Sequence, residues 1–103
     1  MISRQWRGLA RAGEVDNYVQ HLRSETIPQL RELPGFLGAF ILSRAVTEGT
    51  EFLIVTNWRE LEDIRKFAGT DVETAVVPAK VAEMMVEYDR RAKHFEVIDQ
   101  YDV

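Results

Sequence analysis

The sequence predicts an α+β fold, on three observations. Apolar residues repeat with a period of two near both ends and through the middle of the chain, they repeat near 3.6 in the stretches between, and the two patterns alternate along the chain. The chain has 103 residues, the size of one domain. No linker, internal repeat or low-complexity segment breaks it, so residues 1–103 read as a single unit.

Ile2, Arg4, Trp6 and Gly8 fall on one side of a two-residue repeat and Ser3, Gln5, Arg7 and Leu9 on the other, which predicts a first strand. From Val15 the spacing changes to Val15, Tyr18, Val19, Leu22, Thr26, Leu30 and Leu33, the stripe of a helix with one buried face. Pro28 cannot donate to the carbonyl of Ser24, so the helix is expected to kink or restart there and to end at Leu33-Pro34-Gly35. Phe36 to Val46 is apolar on both alternations, with Phe36, Phe40 and Leu42 on one and Leu37, Ala39 and Ile41 on the other. The Thr47-Glu48-Gly49-Thr50 turn then leads to Glu51 to Trp58, again apolar on both faces, giving a hairpin.

Leu61, Ile64 and Phe67 mark a short helix ending near Gly69, and Thr70-Asp71-Val72-Glu73 has the form of a capping box opening another short turn, interrupted by Pro78. Val81, Met84, Met85 and Tyr88 give a last helical stripe. Ala92 to Ile98 closes the chain as a strand, with Phe95 and Val97 on one face and His94 and Glu96 on the other. The order β-α-β-β-α-β is that of the ferredoxin-like unit, in which helices cover one face of a four-stranded antiparallel sheet. The other face, with Leu37, Ala39, Ile41 and their hairpin partners, would expose more apolar surface than soluble monomers tolerate, so a homodimer packed sheet to sheet is expected.

Charge and composition narrow the function. Thirteen Lys and Arg against seventeen Asp and Glu leave a net charge of −4, with no excess of positive charge for phosphates or anionic lipid, so neither nucleic acid nor a membrane is an expected partner. The absence of cysteine excludes thiolate nucleophiles, disulfides and Cys-ligated metal. The first residues alternate polar and apolar instead of forming a signal's apolar run, and Phe36 to Leu42 is far too short to span a bilayer; a cytoplasmic protein is the expectation.

Trp6-Arg7-Gly8, Tyr18, Leu33-Pro34-Gly35-Phe36, Phe52 to Trp58, Phe67-Ala68-Gly69, Ala75-Val76-Val77-Pro78 and His94-Phe95-Glu96-Val97 together resemble the antibiotic biosynthesis monooxygenase domain family, within the dimeric α+β barrels. The resemblance runs from about Ile2 to Ile98. It implies two ferredoxin-like protomers with their sheets face to face, and a cavity in each between sheet and helices. Members include cofactor-independent oxygenases of polyketide aromatics, quinol monooxygenases and haem-degrading enzymes. The resemblance also implies an asparagine on the first strand and, on the helical side of the cavity, a tryptophan with a histidine or tyrosine. Those positions fall here at or near Trp6, at Phe67 and at about Val77, so all three depart from the family pattern.

The expected activity is therefore a cofactor-free monooxygenation of an aromatic or quinol compound; the alternative is a non-catalytic small-molecule-binding or stress-related dimer that keeps the fold. His94, Trp6 and Tyr18 are expected nearest the chemistry, with His94 as base because imidazole titrates near neutrality. Arg4, Phe67, Val77, Met84, Met85 and Tyr88 are expected to shape the pocket. His21 and Glu25, four apart on one helix, read as part of a solvated face, since a zinc site needs at least three protein ligands; no metal and no cofactor are expected.

Overall fold

The computed structural model describes residues 1–103. Its strands are β1 (Ile2–Arg11), β2 (Phe36–Val46), β3 (Gly49–Trp58), β4 (Met85–Tyr88) and β5 (Lys93–Glu96). Its helices are α1 (Val15–His21), α2 (Ile27–Arg31), α3 (Leu61–Ala68) and α4 (Ala79–Met84). All strand pairings are antiparallel, in the order β2-β3-β1-β4, and β5 joins the same edge of β1 as β4. The predicted α+β architecture is present, with the fourth strand position divided between two short strands. No helix is long and apolar enough to cross a membrane.

Between α1 and α2 the backbone passes through one wide π-helical turn, Leu22–Thr26, and Pro28 falls in the first turn of α2. The backbone stays helical through this junction, with the Ile27 N–H donating to the Leu22 carbonyl, so the irregularity expected at Pro28 takes the form of a wide turn and not of a break. Leu22 and Leu30, on either side of it, are both buried. Gly35 ends this region at φ +88°, and a Cβ there would lie 2.2 Å from the Asp63 carboxyl carbon. Both the left-handed backbone and the close approach require glycine.

Three expectations are corrected. The faces of β2 are not those of simple alternation: a bulge between Phe36 and Gly38 inserts Leu37, so Phe36, Ala39 and Ile41 pair with Trp58, Thr56 and Ile54, while Phe40 and Leu42 pair with Val55 and Leu53. Of the expected set Leu37 and, marginally, Ile41 are exposed, at 56% and 36%, and Ala39 is half-buried, whereas Phe40 and Leu42, 61% and 47% accessible, join the exposed apolar surface. The short turn expected at Thr70-Asp71-Val72-Glu73 is present, closed by Thr74 N–Asp71 O at 3.0 Å, but without the capping box. Asp71 Oδ1 accepts from the Glu73 amide at 3.2 Å, and Glu73 to Ala75 pair with residues 90–92 through Ala92 N–Glu73 O (2.7 Å) and Ala75 N–Arg90 O (3.0 Å). Finally, the helix containing Val81 stops at Met84, and Met85 and Tyr88 continue as β4, opposite Ala10 and Gly8 of β1.

The helix-covered face of the sheet carries two apolar clusters. One is Ala10, Tyr18, Leu22, Phe52, Val81 and Met85; the other is Leu30, Trp58 and Ile64, with Phe36 and Phe67 packed against it. Between them the cross-strand pair Arg4 and Thr56 interrupts the apolar surface. Phe52 is fully buried and meets Tyr18 edge to face at 4.9 Å between ring centroids. Phe52→Ala is expected to lower stability by about 3–5 kcal/mol, read as a shift in the urea midpoint at unchanged slope, because helix and sheet cannot close onto the vacated space.

Candidate functional site

A cavity of about 210 Å³ opens between the sheet and the helices at the Arg4–Thr56 break. Its walls come from both clusters: Tyr18, Leu22, Ile54 and Val81 on one side, Leu30 and Phe67 on the other. Trp6 and Val76 complete the apolar lining. The polar lining consists of Arg4 and Thr56 from the sheet, His21, Glu25, Thr26 and Gln29 from the α1–α2 region, and Lys80 from α4.

Arg4 is the innermost charge. Its residue is 4% accessible, and its guanidinium donates to the carbonyls of Val72 and Thr74 (2.8 Å for the latter), meets His94 Nε2 at 2.9 Å and lies over the Phe67 ring at 5.7 Å. None of these partners is a carboxylate. Burial lowers its pKa to about 10, which still leaves it charged at neutral pH. Since arginine can only donate, His94 Nε2 must accept, so this imidazole is neutral with its proton on Nδ1. Burial first, then the Arg4 charge, depress the His94 pKa.

The second polar group sits on the helices. His21 is 8% accessible, its Nδ1 lies 3.2 Å from Glu25 Oε2, and the same oxygen accepts from Lys80 Nζ. The Lys80 hydrogen bond, and then that of His21, hold the Glu25 carboxyl below the usual range, so Glu25 is ionised and fixes one edge of the His21 ring. The π-helical turn contributes directly, since it carries Leu22, Glu25 and Thr26 to the cavity.

Trp6, Tyr18, Arg4 and Phe67 meet in the cavity lining; His94, Val77, Met84, Met85 and Tyr88 do not line it. His94 stands on the far side of Arg4. Val76 and Pro78 reach the cavity, while Val77 between them packs against the neighbouring cluster. Met84, Met85 and Tyr88 pack in that same cluster, the last two because they follow a strand and not a helix. The Trp6 indole N–H is spent on the Asp89 carbonyl at 2.7 Å, so Trp6 offers only its ring. Tyr18 is buried, and burial raises its phenol pKa, so its hydroxyl is no proton acceptor near neutrality.

His21 is a correction to the solvated-face expectation. It follows Tyr18 by three positions and therefore lies on the buried stripe, a signal present in the helical spacing. No group of three or more His, Asp or Glu is arranged to hold a metal ion.

The family model for antibiotic biosynthesis monooxygenases matches residues 1–79, and the chain belongs to that family. No curated protein sequence matches it. Among solved structures, a Bacillus cereus protein assigned to the antibiotic biosynthesis monooxygenases is similar at a TM-score of 0.70 and 15% identity, over 100% of this chain and 96% of that one. A mutant of MhuD with two manganese protoporphyrin IX molecules bound per active site has a TM-score of 0.67 at 19% identity, with both chains fully covered. The monooxygenase from the gene ActVA-Orf6 of Streptomyces coelicolor, in complex with nanaomycin D, has 0.63 at 17%, covering 99% of this chain and 89% of that one. At these identities the likeness is one of fold.

The depressed His94 pKa has a stability consequence. Below its ordinary value of 6.5 the unfolded chain binds this proton more readily than the folded one, so stability is lost as pH falls from there through the lower folded value. His94→Gln, whose amide oxygen can still accept from Arg4, is expected to show a smaller drop in urea midpoint between about pH 7.5 and about pH 5.5 than the parent chain does.

Proposed function

We propose that the protein is a homodimeric monooxygenase that needs no bound cofactor and acts on a small phenol or hydroquinol held in the cavity between sheet and helices. The observation that supports this most is the buried His21, hydrogen-bonded to the solvent-exposed Glu25, on the wall of an otherwise largely apolar cavity. Oxygenation without a cofactor needs an electron-rich substrate anion, so the protein's task is to remove a proton in a dry place. His21, oriented through Nδ1 by an ionised Glu25 that Lys80 holds, is the base in this reading; His94 is not, because its acceptor nitrogen is occupied by Arg4.

The reaction balances for a phenol with a free ring position. HO–Ar–H and dioxygen give the quinone O=Ar=O and one water: one oxygen atom becomes the new carbonyl, and the other leaves with the two hydrogens. The substrate supplies all the electrons, and Trp6, Phe67 and Tyr18 supply the flat apolar walls for its ring. A cavity of about 210 Å³ lies below the roughly 300–1,000 Å³ of sites for drug-sized ligands, so it suits a ligand of one or two rings. A porphyrin does not fit that volume.

The dimer in this reading forms through the uncovered sheet face, where Phe40, Leu42, Leu53, Val55 and Phe95 lie on the side away from the helices. Two such faces packed together would remove an apolar patch that a lone chain leaves in water. Sedimentation at micromolar concentration is expected to give twice the 11.9 kDa chain mass, and Leu42→Glu to return it to the monomer.

Oxygen uptake with a panel of phenols and hydroquinols under metal-free conditions tests the activity. Uptake with at least one member is expected, and His21→Gln should lower its rate about 10²–10⁴-fold, the usual contribution of a general base, with the dimer mass unchanged. A panel that binds without oxygen uptake would remove the monooxygenase reading.

A further inference from the structure

The charges on the cavity wall do not cancel. Arg4 and Lys80 are the two cations and Glu25 the one carboxylate, and Glu25 is engaged by Lys80. The uncompensated positive charge is therefore that of Arg4, buried in a chain whose net charge is −4. Isolated buried charges are costly and ordinarily paired. The carbonyls of Val72 and Thr74 could be held by a neutral amide, so the hydrogen bonds alone do not account for a guanidinium here.

Donor counting agrees. A guanidinium carries five N–H groups; Arg4 makes three hydrogen-bonding contacts, to Val72, Thr74 and His94, which leaves two donors unused on a residue that lines the cavity. The contacts also fix the plane of the group. Two loop carbonyls and a neutral imidazole hold one side, and the Phe67 ring covers a face, so the free donors are presented without freedom to swing away.

We infer that Arg4 is the specificity-determining residue of the cavity and that the ligand is a small aromatic carboxylate bearing a ring hydroxyl, its carboxylate on Arg4 and its hydroxyl toward His21. This rests on the reading that the cavity binds a phenol, and names that phenol's second substituent. A permanent cation at one polar pole matches a permanent anion, whereas a phenol is neutral until the base at the other pole acts on it. Thr56, beside Arg4 in the sheet register and also lining the cavity, accepts from the Trp58 indole N–H at 2.9 Å, which fixes its oxygen and leaves its O–H as a second, neutral donor next to the Arg4 guanidinium.

Calorimetric binding of para-hydroxybenzoate and para-hydroxybenzamide to the intact protein, without oxygen, provides the test. The acid is expected to bind at least about tenfold more tightly than the amide, as charge-assisted hydrogen bonds require. Arg4→Gln should bring the two within about twofold, with Arg4→Lys retaining part of the preference. Should Arg4→Gln fail to fold, the Arg4 Nε–H resonance of the unaltered protein is expected to shift on adding the acid and not on adding the amide. Equal affinity for acid and amide, no binding of either at millimolar concentration, or a preference that survives in folded Arg4→Gln each overturns the inference. Acid binding without oxygen uptake would remove the monooxygenase reading and keep the anion site; uptake on neutral phenols with no preference for the acid would do the reverse.

Discussion

The structure depends on one cross-strand pair, Arg4 and Thr56, placed in the middle of the helix-covered sheet face. On the same face of β1 and β3, Ile2, Trp6, Ala10, Phe52, Ile54 and Trp58 all belong to or pack against a core cluster. At this row the helices have nothing apolar to close upon, so the core divides in two and a cavity remains between the halves. The same guanidinium ties down the loop from Val72 to Thr74 from within, while Arg91 grips Asp71 of that loop from outside at 3.1 and 3.2 Å. Cavity and loop thus share a single anchor.

That loop explains the fourth strand position. Residues 90–92 pair with residues 73–75, so the ladder along this edge of β1 is interrupted at Trp6 and Arg7, where only Asp89 N–Arg7 O (3.0 Å) continues it, and the strand divides into β4 and β5. The gap is used by Trp6. Its indole N–H reaches the Asp89 carbonyl, and its ring lies over Gly8, where a Cβ would come within 2.5 Å of it. Glycine at that position is the absence of a side chain that the tryptophan needs. Stability and site construction are here the same contacts.

Periodicity located the long first helical region, the β2–β3 hairpin and the helix ending at Gly69, because in each the apolar spacing is set by one buried face. It failed where neighbours decide. Val81, Met84, Met85 and Tyr88 satisfy a helical stripe, yet Met85 and Tyr88 find their burial against Ala10 and Gly8 as a strand. The capping-box pattern at Thr70 to Glu73 was outweighed by pairing with residues 90–92 and by the Arg4 donors. Among the site residues, Arg4, Trp6, Tyr18 and Phe67 could be placed from alternation and helical spacing, which put each on the covered face. His94 shares a face with Arg4 but stands behind it, and only the order of side chains in depth shows that. His21 carried its signal in the stripe, obscured by Glu25 four residues on, a pairing common on exposed helix faces.

What the sequence by itself determined is the α+β architecture, the buried faces of its long elements and a sheet with too many apolar positions for one layer of helices. These follow from spacing along the chain, which each residue's own neighbours fix. Tertiary structure alone decided which face of β2 is left open, where the last helix turns into a strand, and which polar groups share the cavity. The bulge at Leu37 shifts alternation by one, and Arg4, His21, Glu25 and Lys80 come from four elements whose approach is set by packing. A charge becomes an uncompensated charge only when its three-dimensional neighbours are known, and for Arg4 that is the physical reason the sequence could name the residue but not its role.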